Sequence, residues 1–215
     1  MRFIQRQLRR PSGLIGGLLP SLWNRWNREL HKVAFQALDI QSDDRVLEIG
    51  FGGGSLLKRI LPMVQNGYVA GVDHSLAVCQ YCHKRLRKAV HSRKMGLAQS
   101  SAENLPFGPE CFSKVFSVNS VFFWPDIPKA FEEIARILKP GGRHILIFTD
   151  PESLKDRPVL KDALTPIASS EVRDRLSESG FQVIRQSEHG DGHRWFHLVA
   201  AQKMNSNLLK EIEDA

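Results

Sequence analysis

Apolar residues recur along this chain in two alternating rhythms, and the alternation predicts a single α/β domain. Trp23, Trp26, Leu30, Val33 and Ala37 follow one another at steps of three and four, which predicts an amphipathic helix over residues 21–38. Short apolar runs bounded by turn residues then predict strands over 45–49, 68–72, 95–99, 114–119 and 143–148. Between them, helical spacing covers 55–63, 76–90, 127–138 and 170–180, with Lys139-Pro140-Gly141-Gly142 and Gly180 as stops. Two further strands, 181–186 and 194–202, flank a turn around Gly190-Asp191-Gly192. Strands alternating with helices imply a mostly parallel sheet closed by a hairpin. Residues 150–169 are the one long irregular stretch expected inside this domain.

Composition leaves that picture standing. The 215 residues are 42% hydrophobic and 25% charged, enough for one full core and unlike a disordered chain. No apolar run approaches the roughly 18 residues of a membrane span. Three cysteines make no disulfide framework, so a reducing, cytoplasmic setting is the default. The formal charge of +7 is uneven: residues 1–28 hold six Arg and no acid, and residues 74–102 hold six Lys or Arg and no acid. Solvated helix faces are the plain reading of such runs, with RNA, acidic lipid or an anionic substrate as the functional ones. Arg2, Arg6, Arg9 and Arg10 ahead of the apolar residues 14–19 imitate a secretion signal, but Pro11, Gly13, Gly16, Gly17 and Pro20 interrupt it. A surface-seeking arm is the expectation, and peripheral membrane contact through it stays open. The division expected is an arm and covering helix over 1–42, a core domain over 43–203, and a tail over 204–215.

Candidate chemistry concentrates where the first strand ends. Val46-Leu47-Glu48-Ile49-Gly50-Phe51-Gly52-Gly53-Gly54-Ser55 runs from a strand through glycines into a helix, so a ligand can lie against bare backbone near free N–H donors. In open parallel sheets ligands bind beyond the carboxyl ends of the strands, which gathers Glu48–Gly54, Asp73, 101–103, 119–124 and Asp150 along one edge. Asp73, 25 residues after Glu48 at the end of the second strand, can accept both hydroxyls of a ribose. A dinucleotide fingerprint counted from Gly50 finds Gly52 but meets Ser55 at its last place, which weighs against an NAD-dependent oxidoreductase.

With Glu48 on the strand, the spacing reads E-x-G-x-G-x-G, and here the chain resembles the class I S-adenosylmethionine-dependent methyltransferases, in particular small bacterial members. VLEIGFGGG (46–54), GVDHS (71–75), AENLPF (102–107), FSKVFSVNSVFFWPD (112–126) and LKPGG (138–142) carry the resemblance, in the family's order. It implies a doubly wound α/β fold with a seven-stranded, mostly parallel sheet of order 3-2-1-4-5-7-6 and an antiparallel last strand. S-adenosyl-L-methionine is the implied cofactor. Gly50, Phe51, Gly52 and Gly54 would approach its methionine part and ribose, Glu48 would orient the loop and a water or the amino group, and Asp73 would hold the ribose hydroxyls. His74 would flank the adenine, Ser101, Ala102 and Glu103 would meet its edge, and Asn119 would face the methionine end. Many relatives carry Asp where Ser101 stands, so the adenine amino contact departs from the family pattern.

The acceptor is less legible. Phe122 and Trp124 are candidates for its pocket and equally for the core. Asp150, His31 and His189 are candidate bases, while His144 falls at the opposite edge and reads as structural. Cys79-Gln80-Tyr81-Cys82-His83 spells a haem-attachment pattern, but inside a predicted helix it reads as coincidence, and no metal site is expected. A small-molecule methyltransferase working by in-line displacement is the leading reading, with an RNA methyltransferase behind it. In so compact a chain the arm, residues 150–169 and the hairpin loop are the walls available to the acceptor.

Overall fold

A computed structural model describes residues 24–155 and 164–205. The Arg-rich arm before residue 24, residues 156–163 and the tail after 205 lie outside the described residues, and so do the expectations placed on them.

Elements follow in the order α1 (Arg28–Leu38), β1 (Arg45–Ile49), α2 (Ser55–Ile60), β2 (Tyr68–Asp73), α3 (Leu76–Arg85), α4 (Arg87–His91), β3 (Met95–Gln99) and β4 (Phe112–Val118). The chain continues through α5 (Ile127–Ile137), β5 (Leu138–Thr149), α6 (Ser169–Glu178), β6 (Phe181–Gly190) and β7 (Trp195–Lys203), with single 3-10 turns at Val121–Phe123 and Glu152–Leu154. The seven strands form one sheet ordered β3-β2-β1-β4-β5-β7-β6, as the resemblance implies. Pairings from β3 through β5 are parallel, and β7 is antiparallel to both neighbours.

Successive residues on the central strands feed opposite cores. Leu47, Val115 and Leu146 point toward α5 and α6, while Val46, Phe116 and Ile145 point toward α1, α2 and α3. Burial on both faces explains why these strands read as continuous apolar runs rather than alternating ones.

Four boundaries differ from the sequence pattern. The first helix breaks at Asn27: the Trp26 carbonyl accepts from Arg194 of the β6–β7 hairpin, and regular helix resumes at Arg28. Its buried stripe is Leu30, Ala34 and Leu38, which leaves Trp26 43% exposed. The helix expected over 76–90 is two helices that meet at the buried Leu86. Lys139-Pro140-Gly141-Gly142 does not merely end α5. It bulges out within β5, where the pairing jumps from Phe112↔Leu138 to Lys114↔Arg143. The closing hairpin is longer than expected, because β6 pairs with β7 as far as Gly190↔Trp195.

At the amino edge of the sheet, Lys114 is buried with Asp44, Nζ to Oδ2 2.6 Å, and also donates to the Asp39 carbonyl at the left-handed end of α1. Burial alone would raise the Asp44 pKa, but hydrogen bonds from Lys114, the Gln41 backbone and Ser113 outweigh it and hold the carboxyl below its usual value. This clasp ties the carboxyl end of α1 and the turn before β1 to β4.

Candidate functional site

Beyond the carboxyl ends of β1, β2 and β4 lies a cleft of about 520 Å³. Its floor is the turn after β1. Gly50 has φ +76°, and a Cβ there would lie 2.5 Å from that of Ser120, so only glycine lets the turn pass under the loop after β4. Ser120 itself donates to the Ile49 carbonyl at 3.0 Å and locks the two loops together.

Glu48 and Asp73 stand side by side at the strand ends, both buried. Asp73 Oδ2 accepts from Gly52 N at 3.2 Å and Oδ1 from Ser75 N at 2.9 Å, so its carboxylate is aimed by the backbone on either side. Burial raises the Asp73 pKa despite those donors and the neighbouring His74. Glu48 is pushed well above the ordinary carboxylate range, first by burial and then by the charge of Asp73. Its Oε2 has no hydrogen-bond partner among the described residues.

The loop after β3 forms the next wall. Glu133 on α5 accepts from Leu105 N at 2.9 Å, and Arg136 donates to the carbonyls of Phe107 and Leu105. Held this way, the loop turns Ser101, Ala102 and Glu103 into the cleft. Asn119, in the left-handed region with φ +54°, accepts at Oδ1 from the backbone and hydroxyl of Thr149 and donates from Nδ2 to Asn27 Oδ1 at 2.9 Å. Its amide therefore ties β4 and β5 to the helix break above the cleft.

The opposite wall is aromatic. Phe122, Phe123 and Trp124 line it, with Phe122 set edge-on to Phe148 and Trp124 edge-on to Phe131. Phe122 and Trp124 thus belong to the core and to the cleft at once.

Most residues expected at the site meet here: Glu48, Gly50, Phe51, Gly52, Asp73, His74, Ser101, Ala102, Glu103, Asn119, Phe122 and Trp124 all line the cleft, and so does His31. Gly54 does not. It caps α2 with φ +64° and faces α3, where a Cβ would lie 3.0 Å from Cys82 Sγ; Gly53 lines the cleft instead. Asp150 and His189 also lie off the lining. Asp150 caps the turn that follows it and takes His197 Nε2 at 2.7 Å, while His189 stacks on Phe196. His31 touches Ser55 Oγ at 3.1 Å, and burial pushes its pKa down to about 4, so the imidazole is neutral near pH 7.

Sequence reasoning missed Thr149 and Arg194 as lining residues, and it placed Ser120 only within the segment 119–124. Arg194 is buried in the lining, pairs with Asp191 at 3.0 Å and reaches the Trp26 carbonyl across the cleft. Asp191 is a local partner, but the contacts that bring Arg194 to the cleft, with Trp26 and Thr149, span 168 and 45 residues. Cys79 and Cys82, the cysteines of the haem-like pattern, sit behind the floor. Their thiols reach the carbonyls of Asp73 and Gly52, and burial first pushes both to about 12. No cluster of metal-ligating side chains occurs among the described residues.

The sheet order and the acidic glycine turn define a class I methyltransferase fold. Residues 47–146 match the family described as "Methyltransferase domain", a segment that holds the floor and the loops after β2, β3 and β4. "Uncharacterized methyltransferase YdaC" of Bacillus subtilis (strain 168) is 32% identical over 117 residues, 54% of this chain and 62% of that protein. "Fatty-acid O-methyltransferase" of Mycolicibacterium smegmatis (strain ATCC 700084 / mc(2)155) is 29% identical over 77% of this chain and 57% of its own length. The match spans about three fifths of the length of these two curated relatives. Among solved structures, a SAM dependent methyltransferase from Aquifex aeolicus aligns with TM-score 0.69 at 20% identity, over 81% of this chain and 89% of that one. Geranyl diphosphate C-methyltransferase from Streptomyces coelicolor A3(2) aligns with TM-score 0.71 at 16% identity, over 84% and 80%, and these likenesses establish the fold. Residues 47–146 of this chain are thus similar to the methyltransferase domain family, and the solved structures share its fold.

Proposed function

We propose that this chain is an S-adenosylmethionine-dependent methyltransferase whose acceptor is an apolar small molecule. The observation that carries the reading is the continuity of a single cleft, which runs from the Glu48–glycine floor and Asp73 to the aromatic wall of Phe122, Phe123 and Trp124.

The floor fits the cofactor. Each Asp73 oxygen takes one backbone donor and keeps acceptor capacity for a ribose hydroxyl. Glu48 Oε2, buried without a partner, is completed by a donor from the methionine part. Gly50 and Gly52 let the ligand approach the backbone, with Phe51 beneath them. His74 flanks the adenine, and Ser101, Ala102 and Glu103 meet its edge. Asn119 acts at the methionine end by holding the wall rather than by offering an idle amide.

When bound, S-adenosylmethionine supplies a methyl group already activated on a positive sulfur. What the residues add is alignment and exclusion of water by the aromatic wall. His31, neutral with a pKa of about 4, is a weak base at pH 7. An acceptor whose nucleophile is already ionised at neutral pH, such as an apolar carboxylate, asks least of this cleft. The M. smegmatis relative, a fatty-acid O-methyltransferase by name, supports that class.

The test is transfer of labelled methyl from S-adenosylmethionine to a panel of fatty and aromatic carboxylic acids, with RNA alongside. Ester products are expected, and Phe123→Ala should lower kcat/KM on them about tenfold, the loss of roughly one well-packed aromatic contact. Label that enters RNA and none of the acids would overturn the acceptor reading.

A further inference from the structure

Two carboxyl groups are buried at the floor of one cleft, and the fold provides for them unequally. Asp73, 7% exposed, receives the backbone N–H groups of Gly52 and Ser75 on its two oxygens and has His74 Nδ1 3.8 Å from Oδ1. Glu48, 2% exposed, receives far less. Its Oε2 is buried with no hydrogen-bond partner among the described residues, and no cation is among the groups that act on it.

The elements packed around Glu48 do not make up the difference. From β2 comes the charge of Asp73, which opposes a second negative charge beside it. From α3 comes the Cys82 thiol, pushed up to about 12 by burial first and Glu48 next, and so uncharged. From α2 the Leu57 backbone favours the ionised carboxyl, but it is the smallest of the three influences on Glu48. Elsewhere on the cleft lining, His31 is neutral and Glu103 adds a further acid. Arg194, the one Lys or Arg among the described lining residues, is paired with Asp191. A carboxyl buried in such surroundings keeps its proton, because an uncompensated buried charge costs more than protonation does.

S-adenosylmethionine reverses that balance, since it carries a positive sulfonium and a positive ammonium group, and an opposite charge nearby favours the ionised carboxyl. We propose that Glu48 holds a proton in the free protein and yields it as the positively charged cofactor settles on the floor, so that cofactor binding and proton release are one event. By linkage, a ligand that expels a proton binds more tightly as pH rises through the range in which the free protein holds that proton, and more weakly as pH falls through it. Glu48 thereby makes the floor sensitive to the charge of what lands on it, while Asp73 receives the uncharged ribose. This rests on the cofactor reading above, and the two fail on different results.

The experiment is calorimetric titration of the full chain with S-adenosylmethionine at pH 6.5, once in Pipes and once in imidazole, two buffers with different heats of protonation. The difference between the observed enthalpies, divided by the difference between the buffer heats, counts the protons released. A release approaching one proton is expected, with an affinity that rises by up to about tenfold per pH unit between pH 5.5 and 7. Glu48→Gln keeps the shape without an ionisable group and should bring the release close to zero, whereas His74→Gln should leave it in place. Binding with equal enthalpies in the two buffers would overturn the proposal and leave the cofactor reading standing. A release unchanged in Glu48→Gln, or lost in His74→Gln, would assign the proton to another group and overturn it as well. No binding in either buffer would overturn both.

Discussion

Asp73 and Glu48, two buried carboxyls whose charges are felt by one another, offer a ligand different things. Asp73 is aimed by two backbone donors and can receive a diol, whereas Glu48 is buried with an oxygen left over. Replacement Asp73→Asn keeps the shape but swaps an acceptor oxygen for a donor. Affinity for S-adenosylmethionine measured by calorimetry should fall about 30-fold, on the order of one charged hydrogen bond of roughly 2 kcal/mol. Because burial raises the Asp73 pKa, that affinity should decline on acidification at a higher pH than an ordinary aspartate would give. His144 carries a stability prediction instead. Between Phe131 and Phe181, with Nδ1 donating to the Val115 carbonyl at 3.3 Å, it is pushed by burial down to about 4. The unfolded chain binds this proton below pH 6.5 and the folded chain does not, so stability falls as pH drops from 6.5 toward 4. In His144→Leu, denaturant midpoints should change less across that window than in the wild type; an identical pH slope would mean that His144 is not the group responsible.

Among elements, α1 has the most to do with the site and was the least legible. Its amphipathic spacing predicted a helix, but not the break at Asn27 or the exposure of Trp26. At the break the Trp26 carbonyl accepts from Arg194, which the fold delivers from the far end of the chain. Its other end is fixed by Lys114, which binds the Asp39 carbonyl and Asp44. Lys114→Met leaves Asp44 buried without its cation and should cost about 3 kcal/mol or more, seen as a lower denaturant midpoint. A neutral result would mean that the clasp is not what seats α1. Strands and the glycine turn were legible because burial on both faces and backbone proximity demand particular residue types there. Gly54 lies off the cleft lining for a related reason: a left-handed helix cap favours glycine as much as a ligand does, so spacing alone marks both. Asp150 and His189 fell at the right edge of the sheet, yet local turns and stacking already occupy them.

At the scale of the whole molecule, one sheet edge gathers the chemistry. The floor and the loops after β2 and β3 come from the first half of the chain, the aromatic wall from the loop after β4, and the roof from α1 and Arg194 together. Five motifs in register made the cofactor half readable, since S-adenosylmethionine needs glycines and acids at fixed positions along consecutive strands. The aromatic wall is the consecutive run Phe122-Phe123-Trp124, which reads equally as core, and Arg194 reaches the roof from far along the chain, so the rest of the cleft left no comparable spacing. The central claim is that the floor takes S-adenosylmethionine and not a dinucleotide. Calorimetric titration of the full chain with S-adenosylmethionine and, in parallel, with NAD tests it most directly. Saturable one-to-one binding of S-adenosylmethionine with a Kd in the micromolar range, and none of NAD at the same concentrations, is predicted. No binding of S-adenosylmethionine, or equal binding of NAD, would contradict the account.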